Sequence, residues 1–424
     1  MDPYGRVQGH SKSYYILSLG VATLAVYPIY LAVLWIIGQH APRPWTDFSA
    51  YWHAGYRAWH GYPLYTVSSE IPELASFNHG HNQYLYPPLI AVLFIPFSFF
   101  NLQVSTVFWL VFTGIVYLWS IRYLLVSVVP GISIRRQWVV LGLSICFWPI
   151  KIGFYYGQIT PLLIASLSLS GGLLIRPSSS SRSFLTGVAA VLPAVIKPVY
   201  LPANAHLLRD WRRLAGGFVT VIVFVGVSVA IFGLDPHFTY IDYILDGGEG
   251  GIEPAFGSVD EWTNSAFAPF YVVSDYAMPI RGLLIAFTVA VSIYSHRTSS
   301  RYTDRYVFCI GLILVPLATP FPDLLILSSL VPVIILTIGT EWQRSDGRLV
   351  IPATALVLLQ VHKLFIEIIV QFGPRYLPRI DLVFSVLPGL QPALWALVCL
   401  FGLSLYRIVQ PSVHSHPESV VESG

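Results

Sequence analysis

"YYILSLGVATLAVYPIYLAVLWIIG", residues 14–38, carries no charged side chain. A bilayer core about 30 Å thick is crossed by about 20 helical residues, so this run is long enough to span it. It is too long for the apolar core of a signal peptide, and no small-residue cleavage site follows, so it reads as a retained first span. Directly behind it comes "RPWTDFSAYWHAGYRAWHGYPLY", residues 43–65, with an aspartate, two histidines and two arginines among four tyrosines and three tryptophans. A connector between spans needs only a few polar residues. A polar, aromatic-heavy segment at the mouth of a membrane helix marks a place where chemistry or binding happens.

The rest of the chain agrees with a membrane setting. Over 424 residues it is 55% hydrophobic and 11% charged, with mean hydropathy +0.66, against about 25% charged residues in an average soluble domain. Apolar runs recur almost to residue 409 and leave no room for a separate soluble domain. The fold class expected is an all-α integral membrane protein, a polytopic bundle of about ten to twelve membrane segments, some broken or re-entrant. It is read as one domain over residues 1–409, with a disordered cytoplasmic tail at 410–424. The net charge of +3 reflects loop asymmetry and offers nothing to nucleic acid. Cys146, Cys309 and Cys399 lie inside apolar runs without CxxC spacing, so they read as core residues, and neither a disulfide framework nor a zinc site is expected.

Basic loops orient the chain. Arg135–Arg136, Arg176 with Arg182, Arg209 with Arg212–Arg213, the stretch from Arg297 to Arg305, and Arg344 with Arg348 are assigned to the cytoplasm, together with both termini of a multi-pass protein of the cell membrane. The first span then exits, and the segment after it faces the exterior. The loop from Asp235 to Ala268, rich in Asp and Glu and devoid of Lys and Arg, fits the same face. Its carboxylates could hold a metal, but their spacing matches no loop motif, so it reads as solvated and no metal or cofactor is expected.

Two stretches do not fit simple crossings. "FLTGVAAVLPAVIKPVYLPANAHL", residues 184–207, lies between two cytoplasmic arginine clusters and must go in and come back. Each half of about 12 residues reaches roughly 18 Å, too short for the core. Pro193, Pro198 and Pro202 predict a re-entrant hairpin broken near Lys197–Pro198. An intramembrane lysine is functional by default, a phosphate partner for instance; the alternative for Lys197 is snorkelling to the surface. "YPPLIAVLFIPFSFF", residues 86–100, is also short and proline-marked, and charge counting favours a dip into the outer leaflet.

Within the opening segment, a helix starting near Asp47 sets Trp52, Tyr56 and Trp59 on one face. This predicts an exterior amphipathic helix lying flat, its rings at the headgroup level among membrane lipids. His53, Arg57 and His60 form a neighbouring cationic stripe placed for lipid phosphates. Asp47 has two readings: an N-cap, or a catalytic carboxylate surrounded by rings that stack on sugars.

"TDFSAYWHAGYRAWHGYPLY", followed by "YLYPPLIAVLFIPF", resembles the opening of glycosyltransferase family 87, membrane mannosyltransferases of the GT-C class. An Asp-Phe pair there leads into a Tyr-rich helix, then Gly-x-x-Leu-Tyr and Tyr-Pro-Pro. "YYGQITPLL" (155–163) is similar to the family's Gly-Gln segment, "GVAAVLPAVIKPVYLP" (187–202) to its Gly-x-x-x-Ala-x-x-Lys-Pro segment, and "TNSAF" (263–267) to an Asn-Gln-Ser element. The resemblance implies a GT-C-type bundle and an inverting transfer of a sugar, mannose in the family, from a polyprenyl-phosphate donor to a lipid-linked or glycan acceptor. It implies Asp47 as general base and Lys197 as the donor-phosphate partner. His53, Arg57, Gln158, Tyr51 and Asn264 are then candidates for phosphate or sugar contacts. Two departures stand out: Asn264 runs directly into Ser265 without the intervening Gln, and "ATPFPDLLIL" has Asp323 where relatives carry a histidine, which points to a different acceptor. The alternative class is a secondary transporter or flippase, since broken helices and a midplane lysine also mark transport sites. Long exterior loops and the lack of an internal repeat speak against it.

Overall fold

At membrane depth a chain can satisfy its backbone only internally, and apolar runs accordingly fold as helices. The computed structural model describes residues 11–36, 46–65, 84–176, 179–245, 269–270, 276–297, 302–319, 324–360 and 391–410, and all regular structure among these is helical. The first half comprises α1 (Ser11–Ile36), α2 (Thr46–His60), α3 (Pro88–Ser98), α4 (Leu102–Val128), α5 (Ile134–Cys146), α6 (Trp148–Tyr155), α7 (Thr160–Ile175) and α8 (Ser180–Ile196). A 3₁₀ segment, Pro198–Arg209, leads to α9 (Trp211–Phe232) and α10 (Asp235–Leu245). The remainder holds α11 (Ala277–Tyr294), α12 (Thr303–Ala318), α13 (Leu330–Gln343), α14 (Val350–Gln360) and α15 (Pro392–Val409).

The chain is an all-α membrane bundle. Among the described residues five helices are long and apolar enough to cross a bilayer: α4, α9, α11, α13 extended by the 3₁₀ turn before it, and α15. A sixth crossing forms if α5 and α6, bent by 69° at their junction, count as one span. The described residues do not confirm the expected count of ten to twelve segments; α3, α7, α8 and α14 are apolar but shorter. At 11 residues, α3 reaches only about 16 Å, well short of a crossing.

The re-entrant hairpin takes the form the prolines predicted. α8 starts behind a Ser179 cap that accepts from Arg182 N and stops at Lys197, whose backbone is extended at φ −130°. The chain returns as 3₁₀ helix and ends beside its own starting point. A Cβ at Gly187 would lie 1.8 Å from Arg213 O, so the crossing of α8 and α9 requires glycine, as close membrane helix pairs do. The first limb is longer than the 12 residues expected because helix begins at Ser180 rather than near Phe184.

Side chains from the basic loops meet at one end of the bundle. Arg176 Nε donates to Ser127 Oγ at 3.1 Å, Arg305 Nη1 to Thr340 Oγ1 at 3.3 Å, and Gln343 Nε2 to Val128 O. Arg209 and Arg213 both grip Asp304. Arg407 closes on Glu341 at 2.6 Å and on Asp346 at 2.5 Å. Lys197, at the apex of the hairpin, lies at the other end.

Candidate active site

Asp47 is held where α2 docks on the turn between α6 and α7. Asp47 N and Phe48 N both donate to Tyr156 O at 3.2 Å. Phe48 is buried and stacks on Trp109 at 6.0 Å, whose Nε1 donates to Gly157 O at 2.8 Å. Gly157 turns the chain at φ +68°, and a Cβ there would sit 2.7 Å from Phe48 Cβ. Only glycine both allows that turn and lets α2 approach, and the next residue, Gln158, is delivered beneath the carboxylate.

Gln158 joins the two charges picked out in the sequence. Its Nε2 donates to Asp47 Oδ2, and its Oε1 accepts from Lys197 Nζ at 3.3 Å. The amide orientation follows from both neighbours, since NH₂ faces the carboxylate and C=O the ammonium. Thr46 Oγ1 donates to Asp47 Oδ1 and Thr160 Oγ1 to Gln158 Oε1, each at 3.3 Å. Lys197 Nζ also stands 5.3 Å from the centre of the Tyr86 ring, within cation–π reach. Tyr86 in turn accepts from Tyr51 OH at 2.7 Å, and Tyr51 stacks on Phe94 at 4.7 Å. Burial, with Tyr86 beside it, pushes the Tyr51 phenol well above its ordinary range, so it remains a neutral donor.

Of the residues chosen from sequence, Asp47, Gln158, Lys197 and Tyr51 thus converge from α2, the α6–α7 turn and the hairpin apex. His53 and Arg57 lie further along α2, about 9 and 15 Å of helical rise from Asp47. Here the flat surface helix must be corrected. His53 and Arg57 are 0% exposed and Trp52 only 6%; Trp52 Nε1 donates to Phe100 O at 3.0 Å and Arg57 Nη1 to Leu64 O at 2.9 Å. Helix α3 and the start of α4 cover the face that periodicity had turned toward lipid. Burial draws the Arg57 guanidinium down to about 10, still charged at neutral pH. Trp59, at 58%, and His60 stay exposed.

Asn264, Asp323, the acidic loop beyond Leu245 and the tail beyond Gln410 lie outside the described residues. Sequence reasoning missed Tyr86 as a site residue, although its Tyr-Pro-Pro motif was visible; Pro87 and Pro88 start α3 and thereby fix the ring beside Lys197. Among the described residues no three His, Cys, Asp or Glu side chains converge as a metal site would need.

The sequence model of glycosyltransferase family 87 matches residues 84–320, a stretch that includes Gln158 and Lys197 and leaves out α2 with Asp47. No curated protein and no solved structure matches the chain. The matched residues make up more than half of the sequence, and the chain belongs to glycosyltransferase family 87.

Proposed function

We propose that this glycosyltransferase moves a sugar, mannose by family expectation, from a polyprenyl-phosphate donor to a lipid-linked or glycan acceptor at the exterior face of the cell membrane. The observation that carries the reading is the bridge Asp47–Gln158–Lys197, a carboxylate and an ammonium linked through one neutral amide. Asp47 takes the proton of the acceptor hydroxyl as that oxygen attacks the anomeric carbon from the face opposite the phosphate. General-base assistance of this kind contributes about 10²- to 10⁴-fold. The bond between the anomeric carbon and the phosphate oxygen breaks, and polyprenyl phosphate leaves as an anion without need of a proton. Lys197 stabilises the charge that collects on that oxygen. Gln158 aims both groups, and Tyr51 and Tyr86 form an aromatic wall suited to a sugar face.

The test is transfer of labelled mannose from dolichyl phosphate mannose in vesicles carrying the purified protein. Asp47→Asn should abolish transfer while folding persists, because Asn has nearly the same shape and its Oδ1 can still accept from Gln158 Nε2. Full transfer by Asp47→Asn would leave the residue a structural role, holding the start of α2 to Gln158.

A further inference from the structure

Arg281, Ile285, Thr288 and Val289 follow one another at helical spacing on α11, so they share a face. Ile285, Thr288 and Val289 line a groove of about 1130 Å³ whose other walls come from the hairpin, α9 and α12. Apart from Asn204, Thr288 and Thr319 its lining residues are apolar. The groove reaches Pro198, the neighbour of Lys197 at the hairpin apex.

Arg281 stands one turn beyond Ile285, toward the start of α11. It is 6% exposed, its guanidinium lies 5.3 Å from the Phe270 ring centre, and Nη1 approaches Met278 Sδ at 3.5 Å. Its Nε has no hydrogen-bond partner among the described residues. A guanidinium buried against a ring and a thioether is expensive to keep, and the fork it presents is shaped for a phosphate.

Its height in the bundle can be reckoned. Arg209 Nη1 donates to Ser295 Oγ, which ties the far end of the 3₁₀ segment to the far end of α11. From there back to Lys197 runs a 3₁₀ segment of 12 residues, about 24 Å long. From Ser295 back to Arg281 along α-helix is about 21 Å. The two cations therefore stand at nearly the same level, Lys197 next to Pro198 and Arg281 one turn from Ile285, both of which line the groove. The ligand that fits has one anionic head and a long apolar tail.

Resting on the donor reading above, we infer that Arg281 is a second ligand of the donor phosphate, holding it from α11 while Lys197 holds it from the hairpin, with the isoprenoid chain in the groove below. Lys197, bonded to Gln158, serves the oxygen that leaves. Arg281 grips the remaining phosphate oxygens in donor and product alike, so its contribution is to binding.

The experiment is equilibrium binding of undecaprenyl phosphate to the full-length protein in phosphatidylcholine nanodiscs, followed by tryptophan fluorescence, with Trp211 in the groove as reporter. Arg281→Gln should weaken undecaprenyl phosphate about 10- to 150-fold, the span expected for one charge-assisted hydrogen bond to an anion, and leave undecaprenol unchanged. Arg281→Lys, which keeps the charge without the fork, should recover part of the loss and serves should the Gln variant fail to fold. Val289→Trp should weaken both ligands by filling the groove. Unchanged affinity of Arg281→Gln for undecaprenyl phosphate overturns the assignment, as does an equal loss for undecaprenol. Full competition by phosphatidylglycerol also overturns it, since the site would then hold a bilayer headgroup. A wild type that binds no undecaprenyl phosphate sinks the donor reading itself. Asp47→Asn should bind as tightly as wild type while transferring nothing, which separates phosphate binding from base catalysis.

Discussion

The two ends of the bundle treat charge in opposite ways. At the basic end Arg407 meets Glu341 in a double contact, Nη2 to Oε2 at 2.6 Å and Nε to Oε1 at 3.0 Å, with side chains 1% and 0% exposed. Tyr306 OH adds a bond to Glu341 Oε1 at 2.5 Å, and Arg209 and Arg213 close on Asp304 in the same manner. At the other end Asp47 and Lys197 do not touch; the amide of Gln158 stands between them. Direct pairs cancel one another and hold helices together. A carboxylate and an ammonium kept one amide apart do not close on one another in this way, and on the reading proposed above both are left to a substrate.

The largest expected effect separates activity from stability. Asp47→Asn should lower transfer by about 10²- to 10⁴-fold with little change in unfolding temperature, measured on the same preparation; a large drop in stability would erase the contrast between the two ends. Next, Arg407→Met leaves Glu341 buried without its counter-charge and should cost about 3–5 kcal/mol in denaturant unfolding, whereas adding Glu341→Gln should return most of that. If the double variant is no better than the single one, the pair is not what binds α15 to α13. Lys197→Met should lose about 1.5–3 kcal/mol of donor interaction, read mainly as a raised KM for the donor, while unfolding stays near wild type. Donor kinetics that do not move would leave Lys197 snorkelling.

The smallest effect belongs to Asp346, on the rim of the basic end. Its hydrogen bond with Arg344, with Arg407 adding to it, brings its carboxyl down to about 2. A depressed carboxyl stabilises the fold above its unfolded value of about 4, and the gain disappears as pH falls from there toward 2. With the Asp346 side chain 53% exposed, solvent screening keeps the contribution below about 1 kcal/mol. Asp346→Asn should flatten the acid limb of the unfolding-temperature profile by that small amount; an unchanged limb would place the pair among silent surface contacts.

What the sequence disclosed follows from what kind of information each feature needs. The hairpin was legible because three prolines between two arginine clusters leave a short apolar run no other course, and the break stands at Lys197–Pro198 as they require. Lys197 stood out as a charge in apolar company, whereas Asp47, in a polar and aromatic segment, was singled out as a base only by the resemblance of that segment to family 87. The position of Trp52, His53 and Arg57 was not: periodicity says which residues share a face, and only packing of α3 against α2 decides what covers it. Gln158 looked like one more interfacial polar residue, since nothing local tells that an amide 111 residues away will reach Asp47. Arg281 was hidden for a simpler reason. An arginine near the start of an apolar run reads as an ordinary flank until its burial and its height beside Lys197 are known.

The long separations within the bridge also have a temporal side. A ribosome makes about 5–20 residues per second, so Gln158, 111 residues after Asp47, emerges about 6–22 s later. Lys197 follows Gln158 after a further 39 residues, about 2–8 s at that pace. Throughout that interval the polar helix Thr46–His60 has to be delivered and kept without the turn and hairpin that later seat it. The bridge of carboxylate, amide and ammonium is therefore assembled as a set only once the hairpin has folded back.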